Sequence, residues 1–179
     1  ATNWLIPTAG TAAFNSSGGK FGGCWTTGTN GEIAHGGTAD VSLGLNDFTI
    51  EFWVNPTNVA PVDSYGRVMQ TGANNSLGGL FLYRTLLSNP TVLGLQVGTG
   101  SGYADPFGLI ALGTLPNSTW SHVALTRQSG VWRIFVNGVK QAEATYTGVG
   151  NDLIQSSLKF GRNDANLEKF NGSYDDIRI

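Results

Sequence analysis

The segment TWSHVALTRQSGVWRIFVNG, residues 119–138, holds two alternating runs joined by a short polar turn. Trp120, His122, Ala124 and Thr126 share one face of the first run, and Val123 and Leu125 share the other. That spacing is the period of two of a β-strand, so the pair of runs predicts a β-hairpin. Both faces carry apolar weight, which suits a sheet covered on one side and partly lined on the other. The chain is therefore expected to be built of layered sheets.

Outward from the hairpin, FTIEFWV at 48–54 is a second strand, with Phe48, Ile50, Phe52 and Val54 on one face and Thr49, Glu51 and Trp53 on the reverse. Pro56 ends it. Further runs at 21–27, 33–35, 67–71, 80–83, 92–97, 107–112, 140–147, 158–161 and 173–179 are bounded by Gly, Asn, Ser, Asp or Pro. The total is about a dozen strands. The helical windows at 75–79 and 164–170 are too short to stand without tertiary help. With many short strands and no crossover helix, the expected architecture is all-β: an antiparallel two-sheet sandwich.

A chain of 179 residues is expected to form one domain, 1–179, long enough to bury roughly 70% of its unfolded surface. Its 26 glycines predict many turns, and 40% hydrophobic residues argue against disorder. Ten basic against twelve acidic residues make nucleic acid and anionic membrane surfaces poor partners. No apolar stretch reaches the ~18 residues needed for membrane insertion, and Ala1 opens no signal-peptide pattern, so any leader is expected to be gone already. The lone Cys24, beside Trp25, reads as a small buried hydrophobe and cannot form an internal disulfide.

FTIEFWV at 48–54, WSHVALTR at 120–127, WRIFVNG at 132–138, LKFGR at 158–162, GSYDDIRI at 172–179 and GKFGG at 19–23 together resemble laminin-G-type (pentraxin-like) domains of the concanavalin-A-like lectin/glucanase superfamily. The resemblance implies a jelly-roll sandwich in which the first and last strands pair, with long rim loops, and a mostly extracellular sugar- or protein-binding role. Glycoside hydrolases and polysaccharide lyases use the same fold, so the site must decide.

A retaining glycosidase needs two carboxylates roughly 5 Å apart, on a strand at i and i+2 or on adjacent strands. No such pair is evident, and the Glu-x-Asp-x-x-Glu signature of the superfamily's glycosidases is absent. Asp175 and Asp176 are neighbours and are expected to point to opposite faces, with Tyr174, Asp176 and Arg178 sharing a parity. Glu51 is expected to meet Arg178 across the sheet, contributing about 0.2–1 kcal/mol. His122 and His35 lie in separate segments, and His122 is expected at the core edge, satisfied by a backbone carbonyl. A lyase would need a Tyr or His base converging with an Arg or Asn, and no short motif shows that or a serine triad.

Sugar recognition uses aromatic platforms beside planar polar groups. Tyr65 in PVDSYGR, Tyr103 in GSGYADP, and Asn163, Asp164 and Asn166 in GRNDANLEK sit among turn formers and are the candidate ligand-binding residues. The alternative for both tyrosines is a capping role at the ends of the sandwich. Trp53 is expected beneath a covering loop. The resemblance also implies calcium at the rim, for which Asp63, Asp105, Asn151 and Asp152 are the candidate ligands. The expectation is a non-catalytic recognition module that binds a glycan or surface polysaccharide, located extracellularly, on a cell surface or on a virion. The alternatives are a structural or protein-binding adhesion module, docked to other chains of its assembly, and a polysaccharide-cleaving enzyme.

Overall fold

The computed structural model describes residues 6–35, 43–57, 65–73, 75–85, 92–108, 111–148, 153, 157–163, 165 and 167–179. In chain order its strands are β1 (Ile6–Ala9), β2 (Ala13–Asn15), β3 (Cys24–Thr26), β4 (Glu32–His35), β5 (Phe48–Pro56), β6 (Tyr65–Thr71), β7 (Leu80–Thr85), β8 (Val92–Gly98), β9 (Tyr103–Ala104), β10 (Ser121–Gln128), β11 (Val131–Val136), β12 (Val139–Thr145), β13 (Leu158–Phe160) and β14 (Gly172–Arg178). They form two antiparallel layers, β1-β4-β13-β6-β7-β8-β9 (sheet A) and β12-β11-β10-β5-β14-β3-β2 (sheet B). No helix occurs among the described residues; the expected windows at 75–79 and 164–170 are turns and bends where described.

The decisive hairpin forms as read. Gln128 pairs with Val131, and the two residues between, Ser129 (φ 50) and Gly130 (φ 78), both take the left-handed conformation of a type I′ turn. Asn137 (φ 50) and Gly138 (φ 76) repeat the device between β11 and β12. Alternation then sorts the side chains. Ile50, Phe52 and Val54 of β5, Val123 and Leu125 of β10, and Trp132, Ile134 and Val136 of β11 meet Met69, Leu80, Leu82, Leu95 and Phe160 of sheet A in one core. Each such side chain contributes roughly 1.5–3 kcal/mol by leaving water.

Four expectations change. The first described strand and the last do not pair: β1 joins β4 at an edge of sheet A, while β14 is taken up between β5 and β3 in sheet B. In the run 107–112 the described residues, 107–108 and 111–112, form no strand, although Phe107 and Leu112 are both buried in the core. On β14 the register shifts between Asp175 and Arg178, with Asp176 at φ 49, so Tyr174 points into the core and Arg178 pairs with Glu51 on the outer face. Asp175, opposite Trp53, lies on that outer face by ordinary alternation from Tyr174, and the bulge overrides the strict parity of the sequence by bringing Arg178 to the same face. His122 is met by the Glu51 carboxylate, Nε2 to Oε2 3.5 Å, because the antiparallel pairing of β10 with β5 sets His122 opposite Trp53 and so diagonal to Glu51 on the same face.

The expected Glu51–Arg178 pair is present at 3.3 Å, but Arg178 is largely exposed. Replacing Glu51 by Gln is expected to lower stability by less than about 1 kcal/mol, read as a small fall in Tm that vanishes at high salt.

Candidate functional site

Sheet A carries an aromatic cleft on its outer face, and its origin is the alternation of β6, β7 and β8. Leu80 and Leu82 point inward, so Phe81 and Tyr83 point outward; Leu95 points inward, so Gln96 points outward. Tyr83 pairs with Arg67 on one side and with Gly94 on the other. Gly94 leaves room for the Tyr83 ring to lie across it: a Cβ there would stand 2.3 Å from Tyr83 Cζ. Tyr65 meets Tyr83 edge-on, with centroids 5.3 Å apart, and Tyr103 meets Phe81 edge-on at 5.3 Å. Tyr65, Arg67, Tyr83, Gln96, Tyr103 and Glu168 line a cleft of about 200 Å³.

Arg67 is the electrostatic centre. Only 3% of its side chain is exposed, its guanidinium stacks over Phe81 at 4.9 Å, and it is ion-paired with Glu168, whose backbone carbonyl accepts the Arg67 amide at 2.6 Å. Its Nε and Nη1 are buried with no hydrogen-bond acceptor among the described residues. Burial pushes the Tyr83 hydroxyl up to about 12, aided by Asp105 and Tyr65 and opposed by Arg67. Burial also raises the Asp105 carboxyl, opposed by a hydrogen bond from Gln96.

For Asp105 the sign follows from linkage. A carboxyl raised in the folded state contributes stability below its unfolded pKa and loses it as pH rises through its folded value. Asp105→Asn is therefore expected to stabilise the protein at neutral pH and to make no difference at strongly acid pH, checked by Tm against pH for both forms.

The sequence-level candidates divide. Tyr65 and Tyr103, 38 residues apart in the chain, converge on the cleft. Asn163 is 3% exposed and does not line it; its Oδ1 accepts the Leu167 amide at 2.9 Å and closes the loop that presents Glu168. Asp164, Asn166, Asp63, Asn151 and Asp152 lie outside the described residues. The remaining calcium candidate, Asp105, is engaged by Gln96, and among the described residues no cluster of three His, Cys, Asp or Glu side chains is arranged to hold a metal. Sequence reasoning missed Arg67, Tyr83, Gln96 and Glu168. The strand parity of 80–83 carried the signal for Tyr83, whereas Glu168 had none, since it arrives from a loop about a hundred residues distant. Cys24 is 2% exposed as expected, and burial raises its thiol, which leaves little thiolate for nucleophilic chemistry.

A laminin-G-type family model, described as the Concanavalin A-like lectin/glucanases superfamily, matches residues 27–179. No curated protein sequence matches the chain. Among solved structures, it superposes on domain 4 of AbnA, a GH43 extracellular arabinanase from Geobacillus stearothermophilus, in complex with arabinotriose, with a TM-score of 0.69, 20% identity and coverage of 95% of this chain and 75% of that one. The binding domain of botulinum neurotoxin DC in complex with rat synaptotagmin II gives a TM-score of 0.69 at 15% identity, covering 97% of this chain and 42% of that one. The enzymatically active domain of bacteriophage CBA120 tailspike protein 2 gives 0.67 at 14% identity, covering 97% and 28%. At these identities the likeness is one of fold, and the chain spans less than half of the latter two.

Proposed function

The chain belongs to the Concanavalin A-like lectin/glucanases superfamily, and from that premise we propose that it is a non-catalytic recognition module that binds a glycan in the tyrosine cleft of sheet A. The observation that carries this reading is the convergence of Tyr65, Tyr83 and Tyr103 with Gln96 and Glu168 on one small cavity. Ring edges and faces suit the apolar side of a sugar, and the planar polar groups suit its hydroxyls. A volume of about 200 Å³ lies below the range for drug-sized ligands and suits a single sugar ring. Two of the structural neighbours are complexes, one with arabinotriose and one with rat synaptotagmin II, in keeping with a binding module.

The cleft holds the parts a lyase would want, a tyrosine and an arginine, but with the wrong electrostatics. A hydroxyl pushed up to about 12 is a poor general base near neutral pH, and Arg67 is already committed to Glu168 rather than poised for a uronate. For hydrolysis, Asp105 is raised as a general acid should be, yet Glu168, the second carboxylate, is closed onto Arg67. Incubation with a panel of polysaccharides is accordingly expected to release no new reducing ends and no unsaturated products. Turnover of any of them would overturn the reading.

Binding is tested by titrating arabinotriose and a panel of neutral trisaccharides into the protein. Tyr103→Ala is expected to weaken the best ligand about 10-fold, a stacking contribution of roughly 1–1.5 kcal/mol. Gly94→Ala is expected to abolish binding by driving the Tyr83 ring out of its seat. Full affinity in both variants, or no binding across the panel, would refute the assignment. An extracellular, cell-surface or virion setting is part of the same proposal, supported by the arabinanase and tailspike neighbours. Calcium at the rim stays within it as well, tested by a Tm that rises with excess calcium and falls with chelator. A protein-binding adhesion role is the second reading, favoured by the neurotoxin domain's complex with synaptotagmin and by the exposed edge strand β12.

A further inference from the structure

The outer face of sheet B carries a second arrangement that the tyrosine cleft does not use. The β14 bulge holds Asp176, a non-glycine residue, at φ 49, and bulges of this kind re-aim side chains beside functional surfaces. Here it gathers Asp175, Asp176 and Arg178 around Trp53 and Glu51. Asp175 Oδ2 accepts the Phe21 amide at 2.8 Å, and the turn closes on itself with Gly19 N donating to Gly22 O at 2.8 Å. Phe21 is thereby pinned 67% exposed, edge-on to Trp53 with centroids 5.8 Å apart. Lys20 Nζ lies 4.5 Å over the Trp53 ring and His122 packs beside it at 5.3 Å, so Trp53 sits under a loop, as its place in the sequence suggested. A lone exposed phenylalanine is ordinary. One anchored by a carboxylate against a tryptophan is a prepared contact platform.

The polar groups round these rings compensate one another. Arg178 donates to both carboxylate oxygens of Asp176, at 3.1 and 2.7 Å, and to Glu51 at 3.3 Å, and Glu51 also faces His122. The arginine occupies the space between the two acids, where a scissile bond would have to lie. The groove, about 580 Å³, thus offers donors and acceptors beside apolar rings, with Arg178 held between Asp176 and Glu51 rather than free to draw in an anion. That chemistry matches an uncharged ligand rich in hydroxyls with apolar ring faces. It is more open than the tyrosine cleft, so a longer chain can lie across it rather than a single ring entering it.

We propose that this groove is a second carbohydrate site, which takes an internal stretch of a neutral glycan on the face of the sandwich opposite the tyrosine cleft. It rests on the reading above only for the class of ligand. One chain then bridges two glycan strands, and multivalent engagement raises avidity without new contacts.

The test is calorimetric titration with arabinohexaose, cellohexaose and mannohexaose, with hexagalacturonate as the charged control, alongside agglutination of beads coated with the bound sugar. The native chain is expected to bind two equivalents of a neutral hexasaccharide and to agglutinate the beads. Phe21→Ala is expected to remove one equivalent, weakening that site at least 10-fold, and to abolish agglutination while the tyrosine cleft still binds. Arg178→Ala, at another exposed position, is expected to do the same, so the outcome does not depend on one variant folding; a cooperative melt, with Tm no lower than the small fall expected from losing the Arg178 ion pairs, confirms that each is folded. Two equivalents retained in both variants overturn the second site and leave the first intact. Binding lost wholly in Tyr103→Ala, with Phe21→Ala unaffected, does likewise. One equivalent lost in Phe21→Ala and none in Tyr103→Ala upholds the groove and refutes the cleft. Preference for hexagalacturonate at the groove, or no binding of any hexasaccharide, overturns the proposal.

Discussion

Trp132→Ala is expected to destabilise the protein by about 3–5 kcal/mol, a large fraction of the roughly 5–15 kcal/mol that holds a domain folded. Trp132 is fully buried and stands at one end of the core, where the Phe48 ring meets it edge-on at 5.6 Å and Tyr146 at 6.2 Å. The Arg127 guanidinium packs over it at 5.6 Å while donating to the Asn46 carbonyl at 3.0 and 2.7 Å and to the Gly44 carbonyl. Truncation opens a cavity in a rigid two-layer core and removes the wall that keeps Arg127 aimed at the 44–46 segment. Both the transfer and the cavity contributions therefore fall due. The check is the urea midpoint at constant m-value, with Trp132→Phe as the comparison that keeps the ring and loses much less. A shift below about 1 kcal/mol for the alanine variant would mean that this end of the sandwich is not packed as described.

Glu168→Ala is expected to cost about 3 kcal/mol and to distort the tyrosine cleft at the same time. Arg67 is almost wholly buried, and its Nε and Nη1 already lack acceptors among the described residues, so removing the carboxylate strands a desolvated charge. The figure lies at the low end for a buried pair because Glu168 is itself a quarter exposed and partly screened. The companion experiment replaces both partners: Arg67→Met with Glu168→Leu is expected to regain most of the stability, since no charge is then left uncompensated. If the single and double variants are equally unstable, the pair is not what holds the 163–170 loop on the sheet.

Much of the architecture was legible because alternation is a local property. Phe48, Ile50, Phe52 and Val54 announce a buried face from their spacing alone, and Ser129–Gly130 announces a turn because a small polar residue and a glycine stand between two alternating runs. Where the local signal was apolar content without alternation, as at 107–112, a strand was expected, and the described residues are instead irregular chain with Phe107 and Leu112 in the core. Parity arguments failed at β14 for a specific reason: the extra residue of the bulge at Asp176 resets the face of everything after it, so Arg178 reaches Glu51 while Tyr174, four residues earlier, donates its hydroxyl to the Val68 carbonyl inside the core at 2.9 Å.

The candidate site was half legible. Tyr65 and Tyr103 drew attention as aromatics among turn formers, but their partners did not, since Arg67, Tyr83 and Gln96 look like ordinary strand residues. Asn163, read as a ligand contact, spends its side chain on its own loop, as Asx residues in turns commonly do.

By itself, the sequence determined the class of fold, the hairpin and its turn, and the sorting of apolar side chains into a sandwiched core, because these follow from periodicity and backbone conformational preference within a few residues. Only the tertiary structure decided which outward side chains became neighbours. The meeting of Arg67 with Glu168 and of Phe21 with Trp53, and the convergence of Tyr65 and Tyr103 on one cleft, depend on strand order and on one bulge, and such long separations leave no trace in local spacing.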